Sequence, residues 1–322
     1  MHGASSRDHR HEKFRKEYTL ENRNSWQFWI DVGGTFTDVV ARTPAGQILT
    51  HKTLSSGWVK GCIDRQWGEC EFSDPHRRHD PDHLWRGYRF RLRDRTGHVC
   101  LESTLIDSRA EGRLYLRHAL PPDCVGLSYE LTSGEPAPIV GMRYLLGMPV
   151  DVPIPAARIR LGTTRGTNAL LERRGARTLF VTTAGFEDCL LIGNQSRPRL
   201  FDLTIEKSPP LYERVLGIEE RLDAEGNVLR NPDPERVLEQ LRVVREAGID
   251  AVAICLLHAY RNPAHELLVE DCARQAGFGE ISVSHRLCPL IKLISRGDTT
   301  LLNAYLNPVL KDYLSEIRSC VP

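Results

Sequence analysis

The chain has 322 residues, of which 41% are hydrophobic and 26% charged, and its formal net charge is +1. This composition is typical of a globular protein with two or three domains, and the balanced charge gives no electrostatic preference for nucleic acid or an anionic membrane. No stretch approaches the roughly 18 consecutive apolar residues of a membrane-spanning helix.

Residues 1–24 are rich in His, Arg, Lys and Glu. They lack the apolar core of a secretory signal, so we expect a disordered basic tail on a cytoplasmic protein. The nine cysteines agree with that compartment, because their number is odd and no Cys-x-x-Cys pair occurs. We therefore predict nine reduced thiols, with Cys255 buried in a strand.

A glycine-rich turn interrupts the first apolar stretch, FWIDVGGTFTDVV at Phe28–Val40. Apolar residues resume after Gly33 and Gly34, so the pattern predicts two strands joined by a tight turn, with a third strand over 47–53. Backbone N–H groups of such a turn can converge on a phosphate, which predicts a phosphate-binding hairpin region at 25–56. A plain hairpin with two glycines in its turn is the alternative.

Residues 57–137 differ in pattern from what precedes and follows them. Charged and apolar residues alternate in short runs such as YRFRLR at 88–93, and polar turns separate these runs. This alternation is typical of antiparallel strands with one face buried. We therefore predict a small β-rich insertion here.

The remainder, residues 138–322, follows an α/β pattern. A strand is predicted over 178–182, a helix from Pro234 with Asp233 as its N-cap, and a continuous apolar strand over 251–257. Alternating strands and helices predict a sheet with parallel members covered by helices. The fold class is therefore predicted as α/β with an inserted antiparallel unit.

A second polar stretch, RLGTTRGTNALLERRG, spans residues 160–175. A short strand runs into a Gly-Thr-Thr turn, and a helix is predicted from about Thr167 to the residue before Gly175. Thr163 and Thr164 can either bind an anion at the start of this helix or simply cap it.

Two further stretches carry polar side chains without apolar periodicity. The first, residues 192–202, is predicted to be a binding loop, with an ordinary solvated loop as the alternative. The second begins with Ser-Arg-Gly-Asp at 295–298, where Asp298 is predicted to cap a helix that bends or restarts at Pro308. Arg-Gly-Asp also occurs in integrin ligands, but that role fits an expected cytoplasmic chain poorly.

Together these stretches identify a family resemblance. A resemblance to the hydantoinase A / 5-oxoprolinase family rests on four segments, DVGGTFTD, GTTRGTNALLERRG, GNQSRPRLFDL and RGDTTLLNAYLNPVL. The segment GNQSRPRLFDL is closest to the 5-oxoprolinase branch of this family. The resemblance covers 26–53 and 159–319. It implies the first lobe of an actin- or sugar-kinase-like ATPase fold, in which the hairpin holds phosphates.

The resemblance also implies a reaction, the ATP-dependent opening of a cyclic amide through a phosphorylated amide oxygen, with Mg²⁺. Roles follow at the matching positions. Asp31 holds Mg²⁺ or orients the attacking group, and Asp38 buttresses the hairpin. The phosphate cradle is formed by Gly33, Gly34, Thr35 and Thr37. The lactam–phosphate cleft is lined by Thr163, Thr164 and Asn168, while Arg197 pairs with a substrate carboxylate.

The resemblance further implies partners, since the family's second lobe and the hydantoinase B-like sequence are absent. We expect a subunit or fragment that acts with a hydantoinase B-like chain and a chain supplying the second lobe. Two alternatives stay open at this stage. One is a subunit of an ATP-dependent acetone- or acetophenone-type carboxylase, and the other is a non-catalytic relic whose insertion serves as an interaction module.

Overall fold

The structure is a computed structural model that describes residues 25–194 and 208–321. The described chain forms two compact units. The first runs to Arg165 and includes Tyr313 onward, and the second covers Gly166–Asp312. None of the helices in the described ranges has the length and apolarity that a membrane span requires. All nine cysteines are free thiols, and Cys255 is buried as predicted but lies just beyond the end of the strand Ala251–Ile254 rather than within it.

The strands, in chain order, are β1 (Trp26–Val32), β2 (Phe36–Arg42), β3 (Ile48–Leu54), β4 (Val59–Cys62), β5 (Arg65–Gly68), β6 (Glu71–Ser73), β7 (Arg89–Arg93), β8 (Val99–Arg109), β9 (Arg113–Leu116), β10 (Ser128–Thr132), β11 (Ala157–Thr163), β12 (Thr178–Thr183), β13 (Arg214–Ile218), β14 (Arg221–Leu222), β15 (Val228–Arg230), β16 (Ala251–Ile254) and β17 (Glu280–Val283). The helices are α1 (Ala137–Leu146), α2 (Arg165–Leu171), α3 (Cys189–Ile192), α4 (Pro234–Glu246), α5 (Ala264–Gln275), α6 (Ser284–Leu287) and α7 (Leu293–Ser319).

The predicted hairpin and third strand belong to a four-stranded mixed sheet of the first unit, in the order β11-β1-β2-β3. Strands β1, β2 and β3 are antiparallel neighbours, and β11 pairs with β1 in parallel. Alternate β1 residues Phe28, Ile30 and Val32 are buried, as a strand with one covered face requires. Helix α1 packs closely on this face, since a Cβ added to Gly141 would lie 2.6 Å from Val39 Cγ2.

The antiparallel strand arrangement predicted for residues 57–137 is confirmed by a seven-stranded sheet in the order β4-β10-β7-β8-β9-β6-β5. Its core is aromatic, with the Phe72 ring centroid 5.6 Å from that of Phe90 and 5.3 Å from that of Tyr129. The buried Tyr129 hydroxyl donates to Asp74 Oδ2 at 2.7 Å. Gly61 makes room for this ring, because an added Cβ would lie 2.2 Å from Tyr129 Cζ.

The chain enters and leaves this sheet through two segments that touch. Gly57, before β4, has a left-handed φ of 72°, and a Cβ there would lie 2.8 Å from the carbonyl oxygen of Glu135, after β10. Only glycine fits such a close approach at this φ without strain. The two ends of the segment that forms the seven-stranded sheet are therefore adjacent in space.

The second unit contains the predicted parallel sheet, in the order β13-β12-β16-β17. Helices α4 and α5 cover one face with Val237, Leu241 and Val269. The other face packs Phe180 and Ala253 against residues of α7. The N-cap prediction is confirmed, because the side chain of Asp233 accepts from the amides of residues 235 and 236.

A buried polar cluster occupies the carboxyl edge of the parallel sheet. Glu266 Oε1 accepts from the Leu256 amide at 2.9 Å and the Ser284 hydroxyl at 2.5 Å. Its Oε2 accepts from the His285 amide at 3.0 Å and lies 2.7 Å from His285 Nδ1. The fully buried Arg296 guanidinium donates to Ser284 Oγ at 2.9 Å and to the Leu256 carbonyl at 2.7 Å. Glu266 therefore joins the segments that follow β16 and β17 to α5.

This cluster explains why the strand predicted over 251–257 is shorter. Strand β16 ends at Ile254. The Leu256 amide bonds to Glu266, and the Leu257 amide bonds to the Thr183 hydroxyl at 2.9 Å, so both amides leave the strand ladder for side-chain acceptors.

The helix predicted to end at Gly175 also ends earlier. Arg173 adopts a left-handed φ of 56°, and the Arg174 amide donates to the Ala169 carbonyl at 2.8 Å, which is the hydrogen bond of a Schellman helix end. Gly175 has another role, because a Cβ there would lie 2.1 Å from Tyr305 Cε1. The glycine serves close packing rather than termination.

The helix predicted to start at Asp298 begins at Leu293, more than one turn earlier, so Asp298 is not an N-cap. Helix α7 starts at Leu293 and continues through Pro308 without a break. The Arg296 amide already donates to the Lys292 carbonyl at 3.1 Å, and burial of the Arg296 side chain fixes this first turn. The Arg-Gly-Asp triplet is not displayed at the surface, since its arginine is fully buried.

Candidate functional site

The turn between β1 and β2 is compact. The Gly33 amide donates to the Phe36 carbonyl at 3.0 Å, and a Cβ added to Gly33 would lie 3.0 Å from the same oxygen. The φ of Gly33 is not left-handed, so space rather than backbone freedom favours glycine here. Gly34 and Thr35 are exposed at the tip. Among the described residues, no protein acceptor is found for their two amides.

Ser55, which follows β3, connects to this turn at three points. Its amide donates to the Thr35 carbonyl at 2.9 Å, its hydroxyl donates to the Gly33 carbonyl at 2.8 Å, and its Oγ lies 3.0 Å from Thr37 Oγ1. Thr37 is fully buried. The two threonines predicted to hold phosphate thus differ. Thr35 is exposed, whereas the Thr37 side chain is buried and contacts Ser55.

The two aspartates of the hairpin face each other across β1 and β2 but differ in their partners. Asp31 lies opposite Asp38, and Asp38 lies opposite Lys52 on β3. The Lys52 ammonium is 2.6 Å from Asp38 Oδ1, so the charge of Asp38 is compensated. No ion pair of Asp31 is found within 25–194 and 208–321. On its other side Asp31 faces Gly162 of β11, where an added Cβ would lie 3.6 Å from its Oδ1.

Thr163 and Thr164 lie beside the hairpin because β11 runs parallel to β1. The Thr164 amide donates to the Val32 carbonyl at 3.1 Å, directly before the glycine turn. Thr163 Oγ1 accepts from the Arg165 amide at 3.1 Å, which is the local capping contact that the sequence left open for it. The structure thus brings Asp31, the glycine turn and these threonines to one edge of the mixed sheet.

The remaining predicted residues lie elsewhere or outside the description. Asn168 is half-buried on α2, in the second unit. Arg197 lies outside the described residues. Within the described ranges, no group of three or more His, Cys, Asp or Glu side chains could hold a metal ion. Asp31 therefore belongs to no such group of three or more.

Sequence reasoning missed Lys52 and Ser55. The strand register could have pointed to Lys52. Counting outward from a two-residue turn places Asp38 opposite Asp31, and the turn after β2 places β3, which contains Lys52, next to β2. For Ser55 the signal was weak, because a serine after a strand is common in any loop.

Comparison with known proteins supports the resemblance. A family model for the hydantoinase/oxoprolinase N-terminal region matches residues 27–83 and 128–277. A 5-oxoprolinase from Saccharomyces cerevisiae is 37% identical over 228 residues, which cover 59% of this chain and 18% of that protein. The acetophenone carboxylase gamma subunit of Aromatoleum aromaticum is 35% identical over 178 residues, covering 50% of this chain and 24% of that subunit.

Among solved structures, nucleotide-free acetone carboxylase matches 92% of this chain and 34% of its own, with a TM-score of 0.56 at 18% identity. This likeness shows a shared α/β fold. The chain spans about a fifth of the length of the yeast 5-oxoprolinase that it matches. The family model covers well over half of the chain. The chain therefore belongs to the hydantoinase/oxoprolinase N-terminal region family.

Proposed function

We propose that this chain provides the phosphate-binding part of an ATP-dependent hydrolase that opens cyclic amides such as 5-oxoproline or a hydantoin. The observation that carries the proposal is the polar edge of the mixed sheet, where the Gly33–Phe36 turn, an uncompensated Asp31 and the two threonines after β11 meet. We further propose that the first unit corresponds to the phosphate-binding side of an actin-like ATPase lobe.

The turn offers donors suited to phosphate. The amides of Gly34 and Thr35 have no protein acceptor in the described chain, and the Thr35 side chain is exposed. Backbone N–H groups gathered in a glycine turn are an established kind of anion-binding site. In this proposal Gly33 and Gly34 provide space and an amide, while Thr35 adds a hydroxyl. Thr37 supports the turn from within.

Asp31 fits the role of a Mg²⁺ ligand better than Asp38 does. Mg²⁺ prefers oxygen ligands and is commonly held by one or two carboxylates together with phosphate oxygens and water. The charge of Asp38 is already compensated by Lys52, whereas Asp31 has no such partner in the described chain. Gly162 leaves open space beside the Asp31 carboxylate. We propose that Asp31 holds Mg²⁺ and Asp38 stabilises the hairpin through Lys52.

The chemistry proposed for ATP is the conversion of an unreactive amide oxygen into a phosphate leaving group. For such transfers a protein mainly positions the phosphoryl group and compensates its charge. Thr163 and Thr164 border the phosphate position in this proposal. Asn168 and Arg197 are proposed to contact the substrate. Arg197 would pair with the substrate's carboxylate.

The proposed activity needs further polypeptide. Because the match covers 18% of the yeast 5-oxoprolinase, we propose that a second lobe and a hydantoinase B-like subunit complete the cytoplasmic enzyme. A second candidate function is an ATP-dependent carboxylase subunit, favoured by 35% identity to the acetophenone carboxylase gamma subunit. The third alternative, a non-catalytic relic with an interaction module, predicts no nucleotide binding with or without partners.

Calorimetric titration of Mg-ATP into the full chain tests the core of this proposal. We expect Asp31→Asn to weaken binding by about tenfold, or roughly 1.4 kcal/mol, when Mg²⁺ is present, and to change little in EDTA. Asp38→Asn is the matched control and should change affinity less than about threefold, because it is not expected to contact the metal. Equal affinities of parent and Asp31→Asn in Mg²⁺ would contradict the metal assignment. Assays of 5-oxoproline and acetophenone turnover with candidate partners then separate hydrolase from carboxylase.

A further inference from the structure

We infer that Ser55 is a positioning residue that orients the Gly33–Gly34 peptide so that the Gly34 amide faces an incoming phosphate. This inference deepens the proposed function and rests on it. Ser55 belongs to none of the sequence motifs and lies on the connection between β3 and the seven-stranded sheet.

The direction of the hydrogen bonds follows from the number of available protons. A serine hydroxyl has one proton, and the Ser55 hydroxyl donates it to the Gly33 carbonyl at 2.8 Å. Its contact of 3.0 Å with Thr37 Oγ1 must then be one in which Thr37 donates. Thr37 is fully buried, so its single proton is committed to Ser55 and is not available to a phosphate.

The planarity of the Gly33–Gly34 peptide sets the direction of the Gly34 N–H. In a trans peptide the C=O and the N–H of the same unit point in opposite directions. Ser55 fixes the Gly33 carbonyl toward itself, so the Gly34 N–H of that peptide points away from Ser55. The Ser55 amide holds the Thr35 carbonyl at 2.9 Å, which restrains the turn at a second point. The Gly34 amide is thereby held in one orientation before any ligand arrives.

Pre-orientation matters because a donor that is already aimed costs no reorganisation when the anion binds. Without the Ser55 hydroxyl, the Gly33–Gly34 peptide loses the hydrogen bond that fixes its carbonyl, and both the Gly33 carbonyl and the Thr37 hydroxyl lose a partner. The expected effect on phosphate binding therefore exceeds that of an ordinary exposed hydroxyl.

The test compares three variants of the full chain by calorimetry with Mg-ATP, each at a temperature where circular dichroism shows it folded. Ser55→Ala should weaken binding about tenfold, and Ser55→Thr, which keeps a hydroxyl, should restore affinity to within about threefold of the parent. Ser56→Ala is the matched control, since its exposed neighbouring hydroxyl only contacts the Trp58 amide at 3.4 Å, and it should bind like the parent. Parent-like binding by Ser55→Ala overturns the inference and leaves the proposed function standing.

A second readout does not depend on ATP. Amide hydrogen exchange at Gly33 and at position 55, whose amides are bonded to the Phe36 and Thr35 carbonyls, should become about tenfold faster in Ser55→Ala, with β12 and β16 unchanged. If the parent fails to bind Mg-ATP even with the partner chains that the proposed activity needs, the proposed function fails, and faster exchange in the turn still supports the orienting role of Ser55. Unchanged exchange in the turn overturns that role whatever the binding result.

Discussion

Removing the Glu266 side chain is expected to destabilise the second unit strongly. Glu266 is fully buried, and its two oxygens accept from Leu256, Ser284 and His285, while Arg296 Nη1 lies 3.9 Å from Oε1. In Glu266→Ala the Arg296 cation is left in the interior without its counter-charge. Removing one partner of a buried ion pair typically costs about 3–5 kcal/mol, a large share of the roughly 5–15 kcal/mol that stabilises a domain.

The stability measurement for Glu266→Ala has to follow unfolding of the second unit. All five tryptophans precede residue 86 and lie in the first unit, so their fluorescence is a poor monitor of this change. Amide exchange of β12 and β16 in increasing urea measures opening of the second unit directly. Asp271→Ala, on an exposed position of the same helix, is the control and should cost less than about 0.5 kcal/mol.

A double variant sharpens this test. Replacing Arg296 by Met in the Glu266→Ala background removes the orphaned cation, so part of the lost stability should return. A loss below about 1 kcal/mol in Glu266→Ala would refute the reasoning that this carboxylate holds the carboxyl edge together. Equal stability of the single and double variants would show that the cost comes from hydrogen bonds rather than from the unpaired charge.

Two further predictions concern pH and helix capping. Burial, and then the charge of Arg77, lower the pKa of His51 from 6.5 to about 4. Neutral His51 therefore contributes stability that is complete above pH 6.5 and is lost as the pH falls toward 4, by about 1–2 kcal/mol after allowance for solvent screening. His51→Phe, which can still stack on Tyr144, should show a shallower decline in urea unfolding over this range, and parallel curves would contradict the assignment. Asp233→Ala removes the side-chain acceptor at the start of α4 and should cost about 1 kcal/mol by the same method, while Asp233→Asn should cost less. An Asp233→Ala chain as stable as the parent would show that the cap contributes nothing.

Features encoded by neighbouring residues were predictable from the sequence. The hairpin, the parallel sheet of the second unit and the Asp233 cap each depend on a pattern within a few residues, and the structure confirms them. The family was predictable for the same reason, because its motifs are short and contiguous. The roles of the site residues remain proposals.

Features set by distant contacts were not predictable. The sequence predicts that Gly175 ends a helix, but Tyr305, which is 130 positions later, requires a glycine there. The sequence also predicts that Asp298 caps a helix, but the buried Arg296 draws the preceding residues into the helix. Ser55 was overlooked because its partners, Gly33 and Thr37, approach it only once β3 has paired with β2.

The contact between Gly57 and Glu135 has an evolutionary consequence. The segment after β3, at Gly57, and the segment before α1, at Glu135, already touch. A few residues could therefore connect them in place of the seven-stranded sheet. Closing so short a gap has a small entropic cost, and exchange of such a segment would leave β3 and α1 where they are. The family model skips residues 84–127, which lie within this sheet. We therefore expect relatives to differ most over 84–127, while the strands on either side of that stretch and the Gly33–Phe36 turn lie in regions that the family model matches.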